Sequence, residues 1–261
     1  MAIHYKTADE IAIMREAGRI VAVAHQAICE AIQPGVTTAE LNTIADTVLR
    51  DHRATPAFLG YPKADSPDFP ASICASVNDE LVHGIPGDRV LHEGDIISVD
   101  IGSIYEGFVG DSAWTYPVGE ISPAVQRLLE VSEEALWVGI RASVLPNETK
   151  DVSLAIQSYI QKQGYSVVRE YTGHGVGRDM HEEPQVPNWW PRSRRQSQNW
   201  VSYRLKPGMT YALEPMVNAG RPDTRELADK WTVVTRDGSL CTHFEHTIAI
   251  TDGNPVVLTL P

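Results

Sequence analysis

Apolar residues recur at helical spacing in the first segment of the chain, roughly residues 8–32. The Pro34-Gly35 pair ends this predicted helix. A capping-box pattern, Thr37-x-x-Glu40, predicts the start of a second helix. Side chains at this spacing form a stripe along one helix face, and the stripe of the first helix consists of Ile11, Met14, Ala17, Ile20, Val21, Ala24 and Ile28.

A second pair of helices is predicted further along the chain. Ser122 and Pro123 are typical of the cap and the first residue of a helix, which is predicted to run to about residue 142. Another helix is predicted to begin at Thr149. This pair repeats the first at an offset of 112 residues, so that Thr37 falls on Thr149. Because strand-like runs follow each pair, we predict an α+β fold of two similar halves around one sheet system, with a site in the cleft between them.

Strand-like runs separated by Gly and Pro make up most of the remaining sequence. A proline-rich loop around Pro56, Pro62 and Pro67 precedes them and is predicted to lack regular structure. The runs between the helix pairs cover residues 71–77, 95–101 and 106–116. Those after the last helix cover residues 166–171, 210–214, 231–235, 240–250 and 256–260. No linker interrupts the pattern, so residues 1–261 are predicted to form one domain.

Acidic side chains interrupt runs that otherwise predict buried strands, although Asp and Glu are depleted in strands and costly to bury unpaired. A hairpin turning at Tyr105-Glu106 would place Asp100 directly opposite Asp111. Two like charges there repel unless a cation or a shared proton joins them. Either Asp alone could instead be a surface residue of an edge strand. The interrupting residues are Asp100, Asp111, Glu214 and Glu245.

Two histidines bracket a glycine-rich segment that could bring both rings to one cleft. His174 and His181 are seven residues apart, which is not the spacing of a helical HExxH zinc motif. Carboxylates with one or two imidazoles suit Mn²⁺, Fe²⁺, Co²⁺ or Zn²⁺ better than a cysteine-based structural zinc. Bridging carboxylates imply two ions about 3.5 Å apart. Exposed or structural positions are predicted for His4, His25, His52 and His92.

Composition excludes several other classes of protein. The net charge of −12 argues against a nucleic-acid-binding surface, which needs clustered Lys and Arg. No apolar run reaches the roughly 18 residues that span a bilayer, and the N-terminus lacks the pattern of a secretory signal. The three scattered cysteines, Cys29, Cys74 and Cys241, form no CxxC pair and favour a cytoplasmic location.

The sequence resembles the type I methionine aminopeptidases over nearly its whole length. The resemblance implies the pita-bread fold, in which pseudo-twofold related α/β halves surround a central antiparallel sheet. It also implies a single catalytic domain that removes the initiator methionine from nascent chains and peptides whose second residue is small. The segments that carry it are GYPK (60–63), NDELVHGIP (78–86), SVDIG (98–102), GDSAWTY (110–116), TGHGVGRDMHEEPQV (172–186), LKPGMTYALEPMVNAG (205–220), WTVVTRDGSL (231–240) and EHTIAIT (245–251).

The same resemblance implies a role for each metal ligand. Two divalent ions (Co, Mn, Fe or Zn) would be bound in each chain. Asp100 would chelate one ion, and Asp111 and Glu245 would bridge the pair. His174 and Glu214 would bind the other ion. Glu214 would also carry a proton from the attacking water to the leaving amine.

Further residues are implied in binding the substrate. His181 would hydrogen-bond the substrate carbonyl and stabilise the tetrahedral intermediate. His83 would contact the substrate near the scissile nitrogen. An apolar pocket for the methionine side chain would be lined by Phe58, Tyr61, Cys74, Met180 and Trp231.

The chain departs from the family pattern at several places. His243 stands where the family commonly has Gln, on the same predicted strand face as Glu245, and its role is unassigned. Residues 64–71 and 188–204 are insertions, and the second holds three Trp and four Arg. We weigh contact with the ribosome through Arg192, Arg194 and Arg195 against a packed surface loop.

Three alternative functions compete with methionine removal. Proline-directed peptidases of the same fold generally carry a large additional N-terminal domain, for which this chain has no room. Type II methionine aminopeptidases carry a long helical insertion that residues 188–204 do not supply. A non-catalytic peptide-binding scaffold predicts lost ligands, whereas all five are present.

The predicted oligomeric state is a monomer, because a monomer would suit access by nascent chains.

Overall fold

The computed structural model describes residues 2–191 and 200–261. Its four helices are α1 (Ala8–Ala31), α2 (Thr38–Asp51), α3 (Pro123–Ala142) and α4 (Thr149–Lys162). The strands of the first half are β1 (Thr55–Pro56), β2 (Ile73–Val77), β3 (Glu80–Val82), β4 (Ile96–Tyr105) and β5 (Phe108–Pro117). The remaining strands are β6 (Ser166–Val167), β7 (Gly173–Gly175), β8 (Glu182–Val186), β9 (Thr210–Leu213), β10 (Met216–Asn218), β11 (Thr224–Glu226), β12 (Val233–Thr235), β13 (Cys241–His243), β14 (His246–Ala249) and β15 (Val256–Val257).

The helix starts follow the capping signals in the sequence. The predicted capping box at α2 is confirmed, because Thr37 Oγ1 accepts a hydrogen bond from the backbone of Glu40 and the Glu40 carboxylate accepts one from the backbone of Thr37. Ser122 caps α3 in the predicted way, with its hydroxyl accepting from the backbone of Val125. The N-cap of α4 is Glu148, and the helix begins at the predicted Thr149.

Several predicted strands are shorter than expected, and one predicted loop contains a strand. The proline-rich loop includes β1, whose Pro56 lies opposite Ser103 of β4. Proline is tolerated there because β1 is an edge strand. The run 240–250 divides into β13 and β14, since Phe244 and Glu245 leave the ladder and donate their backbone N–H groups to Pro215 and Ala113. Strand β6 covers only the first two residues of run 166–171.

Every pairing between the described strands is antiparallel. In one sheet β4 pairs with β5 along its whole length, and also with β2 and with β1 at different parts of the strand. A second sheet has the order β15-β14-β9-β7-β8. There are two further sheets of three strands each, with the orders β13-β10-β6 and β11-β12-β3. Strands β5 and β14 join the halves, because the Thr247 hydroxyl donates to the carbonyl of Asp111 and accepts from its backbone N–H.

The two helix pairs cover two separate apolar cores. Helices α1 and α2 pack against residues of β2 and β4 in one core, and α3 and α4 pack against residues of β9 and β10 in the other. Isolated bridges join the N-cap of α2 to Val90 and the N-cap of α4 to Arg204, at equivalent places in each half. The repeat suggested by the 112-residue offset is therefore present in the fold.

Part of the Trp- and Arg-rich insertion is described. Trp189 and Trp190 lie with their ring centroids 4.9 and 5.3 Å from that of Trp200. The three arginines for which ribosome contact was weighed against a packed surface loop, Arg192, Arg194 and Arg195, lie outside the described residues. Within the described ranges, no helix is long and apolar enough to cross a membrane.

Candidate metal centre and substrate pocket

The hairpin of β4 and β5 turns at Glu106-Gly107, not at Tyr105-Glu106 as predicted. Glu106 and Gly107 have φ angles of 47° and 77°, as a two-residue type I′ turn requires at both central positions. Tyr105 then pairs with Phe108, the first residue of β5. The sequence prediction is therefore wrong by one residue in the turn, and that error changes the register of the whole hairpin.

In the observed register the two aspartates are diagonal neighbours and do not face each other directly. Asp100 lies opposite Ala113, and Asp111 lies opposite Gly102. Ala113 is two residues from Asp111, so both carboxylates are on the same face of the sheet. The predicted direct opposition is wrong, yet the pair still converges on one side of the hairpin. The physical reason for a bridging cation is unchanged.

The second half of the chain contributes an imidazole and two glutamates to the same place. His174 Nε2 lies 3.7 Å from Asp111 Oδ2 and 3.5 Å from Glu214 Oε1. The Nδ1 of His174 is 3.0 Å from the carbonyl oxygen of Gly175, to which it donates. This hydrogen bond leaves Nε2 of the neutral ring free of a proton and directed at the carboxylates, as a metal ligand requires.

Burial makes this cluster of carboxylates unfavourable without a cation. Burial, with repulsion among the carboxylates, raises the pKa values of Asp100, Glu214 and Glu245 well above their usual range. Burial raises the pKa of Asp111 to about 7 and lowers that of His174 to about 3. The ring is therefore neutral at physiological pH and offers a lone pair instead of a positive charge.

The donor set fits a divalent ion. Asp111, His174 and Glu245 each offer one ligand atom, and these atoms lie within 4.8 Å of one another. The Oδ1 atoms of Asp100 and Asp111 are buried and have no hydrogen-bond partner among the described residues. Carboxylate oxygens and an imidazole nitrogen suit divalent first-row transition metals. Asp100 and Glu214 line the same pocket as these three residues.

The side chain of His243, whose role was unassigned in the sequence, reaches the carboxylates of this centre. Its Nε2 is 3.6 Å from Glu214 Oε2 and 3.9 Å from Glu245 Oε2. The side chain is 3% exposed, and burial lowers its pKa to about 3. Within the described part of the chain Nε2 has no hydrogen-bond partner. The position is set by β13, which ends at His243 just before the chain leaves the ladder at Phe244.

The five predicted metal ligands, the histidines His83 and His181 and the five predicted residues of the methionine pocket all line one pocket of about 230 Å³. The carboxylates and His174 form one part of it, and the predicted apolar residues Phe58, Cys74 and Met180 form another. Three lining residues were missed in the sequence, and they are Pro62, Lys63 and Phe69.

Two of the missed residues, Phe69 and Lys63, contact the indole of Trp231. The Phe69 ring packs edge-on against it at 5.1 Å between centroids. Lys63 Nζ lies 5.1 Å from the indole centroid and forms an ion pair with Glu226. Phe69 is a large apolar residue within the polar insertion 64–71, which is the signal that could have identified it.

Two further histidines face the pocket from opposite halves. The hydroxyl of Tyr61 lies 2.6 Å from Nδ1 of His181. A hydrogen bond donated by Tyr61 leaves the proton of the neutral His181 ring on Nε2. His83 has a φ of 58° and packs edge-on against Tyr171 and Trp231. Burial lowers the pKa values of both histidines, to about 4 for His83.

Comparison with known proteins agrees with this geometry. Residues 12–252 match the sequence profile of Metallopeptidase family M24. The chain belongs to this family. It is 52% identical over 254 residues to methionine aminopeptidase 1 of Bacillus subtilis (strain 168), covering 97% of this chain and 98% of that protein.

Two solved structures of family relatives define the fold. The crystal structure of a methionine aminopeptidase from Thermotoga maritima covers all of both chains at 41% identity with a TM-score of 0.93. An Xaa-Pro dipeptidase from Bacillus anthracis has 25% identity and a TM-score of 0.76, and the match covers 98% of this chain but 61% of that one. The predicted pita-bread fold is confirmed by these neighbours.

Proposed function

We propose that this metallopeptidase removes the N-terminal methionine from nascent proteins and peptides whose second residue is small. The observation that carries the proposal is an apolar pocket that opens directly onto the candidate metal centre. Relatives named methionine aminopeptidase, which are 40–52% identical over nearly the whole chain, support it. The pocket would supply a place for the methionine side chain beside the ligands.

The ligand set proposed for two divalent ions consists of Asp100, Asp111, His174, Glu214 and Glu245. Ions bound there would lower the pKa of a water molecule so that a nucleophile forms near neutral pH. The contact of His174 with Asp111, and that of His174 with Glu214, bring ligands of both halves together beside the diagonal aspartates. Co, Mn, Fe and Zn all accept these donors.

The chain's own groups would perform the proton transfers and bind the carbonyl. Glu214, which is 7% exposed, would take the proton from the nucleophile and deliver it to the leaving amine. His181 would donate from Nε2 to the substrate carbonyl, since Tyr61 occupies Nδ1. His83 would contact the substrate near the scissile nitrogen.

Selectivity for methionine would follow from the apolar wall of the pocket. A flexible thioether adapts to irregular apolar surfaces and makes favourable contacts with aromatic rings. The T-shaped contact between Phe69 and Trp231 stabilises one side of this wall, and we add Phe69 to the proposed binding residues. The other residues proposed for it are Phe58, Tyr61, Cys74, Met180 and Trp231.

Prolyl specificity is the main alternative, because an Xaa-Pro dipeptidase shares the fold. The present chain corresponds to 61% of that enzyme, whereas it matches the full length of methionine aminopeptidases. A non-catalytic scaffold is a second alternative. It predicts missing ligands, but all five proposed ligands line the pocket.

The domain organisation, the oligomeric state and the cellular location of the enzyme are proposed as follows. We propose that residues 1–261 act as one catalytic domain, as a monomer in the cytoplasm. Contact with the ribosome would bring the enzyme to nascent chains as they emerge. Replacing Arg192, Arg194 and Arg195 with Ala should weaken co-sedimentation with ribosomes, and unchanged co-sedimentation would reject that contact.

A direct test compares two peptides on the purified chain with added Mn²⁺ or Co²⁺. Methionine should be released from Met-Ala-Ser, and an Ala-Pro peptide should remain intact. Glu214→Ala should abolish turnover, because it removes a ligand and the proton carrier together. Cleavage of the Ala-Pro peptide alone would establish prolyl specificity, and binding of Met-Ala-Ser without turnover with any metal would support the scaffold alternative.

A further inference from the structure

The substrate pocket continues into two further depressions on the protein surface. The first is joined to the pocket through His174 and His181, which line both. The second contains the exposed Val201 and shares with the first the residues Glu170, Thr172, Glu183 and Gln185. Because neighbouring depressions share lining residues, they adjoin one another in a row, which we call the downstream groove. It leads from the candidate metal centre to the surface beside Trp200 and Val201.

Strand β8 forms one wall of the downstream groove. The strand begins at the residue after His181, so its course leads away from the proposed carbonyl-binding group. It lies at the edge of the five-stranded sheet, and β7 is its only strand partner in the described part of the chain. Glu183 and Gln185, alternate residues of this strand, both line the groove. The outer side of β8 is therefore not covered by another strand.

The groove contains two carboxylates that have no cationic partner among the described residues. Glu170 receives a hydrogen bond from the backbone of Arg169, and neither Glu170 nor Glu183 forms an ion pair there. Arg169 also lines the groove, but its guanidinium lies over the ring of Trp189, 5.4 Å from its centroid. Both carboxylates are thus available to a cation carried by a ligand.

The far end of the groove is apolar. Val201 is 60% exposed, and Trp200 and Tyr203 line the same depression. The methylene groups of a lysine could pack on such a surface while the ammonium group stays in water near a carboxylate. The groove therefore combines apolar surface with negative charge, which is complementary to a basic peptide.

We infer that the downstream groove binds the part of the substrate chain that follows its second residue, and that it favours basic side chains there. The inference rests on the proposed function, because an aminopeptidase holds only the first residues in its pocket. The remaining chain must leave along the surface, and an extended peptide advances about 3.3–3.6 Å per residue. The groove begins at His181, where the proposed scissile carbonyl lies.

The test compares two C-terminally amidated peptides, Met-Ala-Ser-Lys-Lys-Lys and Met-Ala-Ser-Glu-Glu-Glu, at low ionic strength. The unmodified chain should show a kcat/KM roughly fivefold or more higher for the lysine peptide, because each exposed charge pair contributes up to about this factor. Added salt should reduce the difference. The double variant Glu170→Gln/Glu183→Gln should reduce it to within about twofold, and amidated Met-Ala-Ser, which carries no charged side chain, reports turnover without the charge effect.

A matched control separates local charge from the net charge of −12. Asp51→Asn also removes a negative charge, at an exposed position at the end of α2. It should keep the full preference for the lysine peptide. Equal rates for the two long peptides in the unmodified chain would overturn the inference. So would a preference that survives the double variant, or one that Asp51→Asn lowers equally. Absence of any methionine release from the tripeptide would overturn the proposed function itself.

Discussion

The carboxylate of Glu214 lies between two imidazoles, one on each oxygen. His243 Nε2 is 3.6 Å from Glu214 Oε2, and His174 Nε2 is 3.5 Å from Glu214 Oε1. The two rings come from β13 and β7, which belong to different sheets. Glu214 itself lies just after β9. Two elements outside its own strand therefore contact the carboxylate of the proposed proton carrier.

His243→Ala should lower both metal affinity and kcat/KM by roughly 10- to 100-fold, because groups that orient metal ligands typically contribute that much. His243→Gln should retain most of both, since an amide N–H can contact the same carboxylate oxygen. Calorimetric titration with Mn²⁺ and turnover of Met-Ala-Ser measure the two quantities separately. If His243→Ala binds metal and turns over like the unmodified chain, the histidine does not position Glu214.

His181→Ala should lower kcat by roughly 100- to 1,000-fold with a smaller effect on KM, because carbonyl stabilisation acts mainly in the transition state. Tyr61→Phe should cause a smaller loss of kcat, since it removes only the hydrogen bond that fixes the proton on Nε2. Steady-state kinetics on Met-Ala-Ser distinguish the two. An effect of His181→Ala confined to KM contradicts the assigned role.

Divalent metal should stabilise the chain more at pH 8 than at pH 6. Burial raises the folded-state pKa of Asp111 from 3.8 to about 7. The stability linked to this group in the metal-free chain is therefore present at low pH and is lost as the pH rises through about 7. A bound cation offsets the resulting charge, and protons compete with it at lower pH.

Thermal unfolding with Mn²⁺ and with a chelator, at both pH values, measures this effect. The rise in Tm caused by the metal should be larger at pH 8. A rise that is equal at the two pH values, or larger at pH 6, would show that these carboxylates do not bind the ion.

Gly110→Ala should lower the free energy of unfolding by about 1–3 kcal/mol, because it overpacks the contact between α1 and β5. A Cβ at Gly110 would lie 2.6 Å from the backbone carbon of Ala17 and the nitrogen of Gly18. Gly87→Ala is the matched control, since a Cβ there meets no atom within 4 Å among the described residues. Urea unfolding compares the two. If the two variants have the same free energy of unfolding, Gly110 is not in tight contact with α1, and the described packing of α1 on β5 is wrong.

The helices could be predicted from local signals in the sequence, whereas the identities of the pocket residues came from the resemblance to the methionine aminopeptidases. Apolar spacing and capping residues set the four helices, and strand-like runs interrupted by carboxylates indicated the buried acidic cluster. The hairpin register could not be predicted, because Glu106 has a positive φ, which is uncommon for a residue with a side chain and is not indicated by the sequence. A one-residue error in the turn was enough to misplace Asp100 relative to Asp111.

Short strands and long-range contacts were also missed. Strands such as β3 and β10 have three residues each, and their pairings with distant strands define them. The sequence placed His243 on the same strand face as Glu245, but the chain leaves the ladder between β13 and β14. Only the folded arrangement shows that His243 still lies 3.9 Å from the Glu245 carboxylate.

The most direct test of a metal-dependent methionine aminopeptidase is the release of methionine by metal-stripped protein as ions are returned. The chain is purified anaerobically, treated with a chelator, and titrated with Mn²⁺, Fe²⁺ or Co²⁺ while Met-Ala-Ser is followed by mass spectrometry. We predict no release from the stripped chain and restored release as the ions bind, with up to two bound per chain. Release that continues unchanged in the chelator, or none with any of the ions, would contradict it.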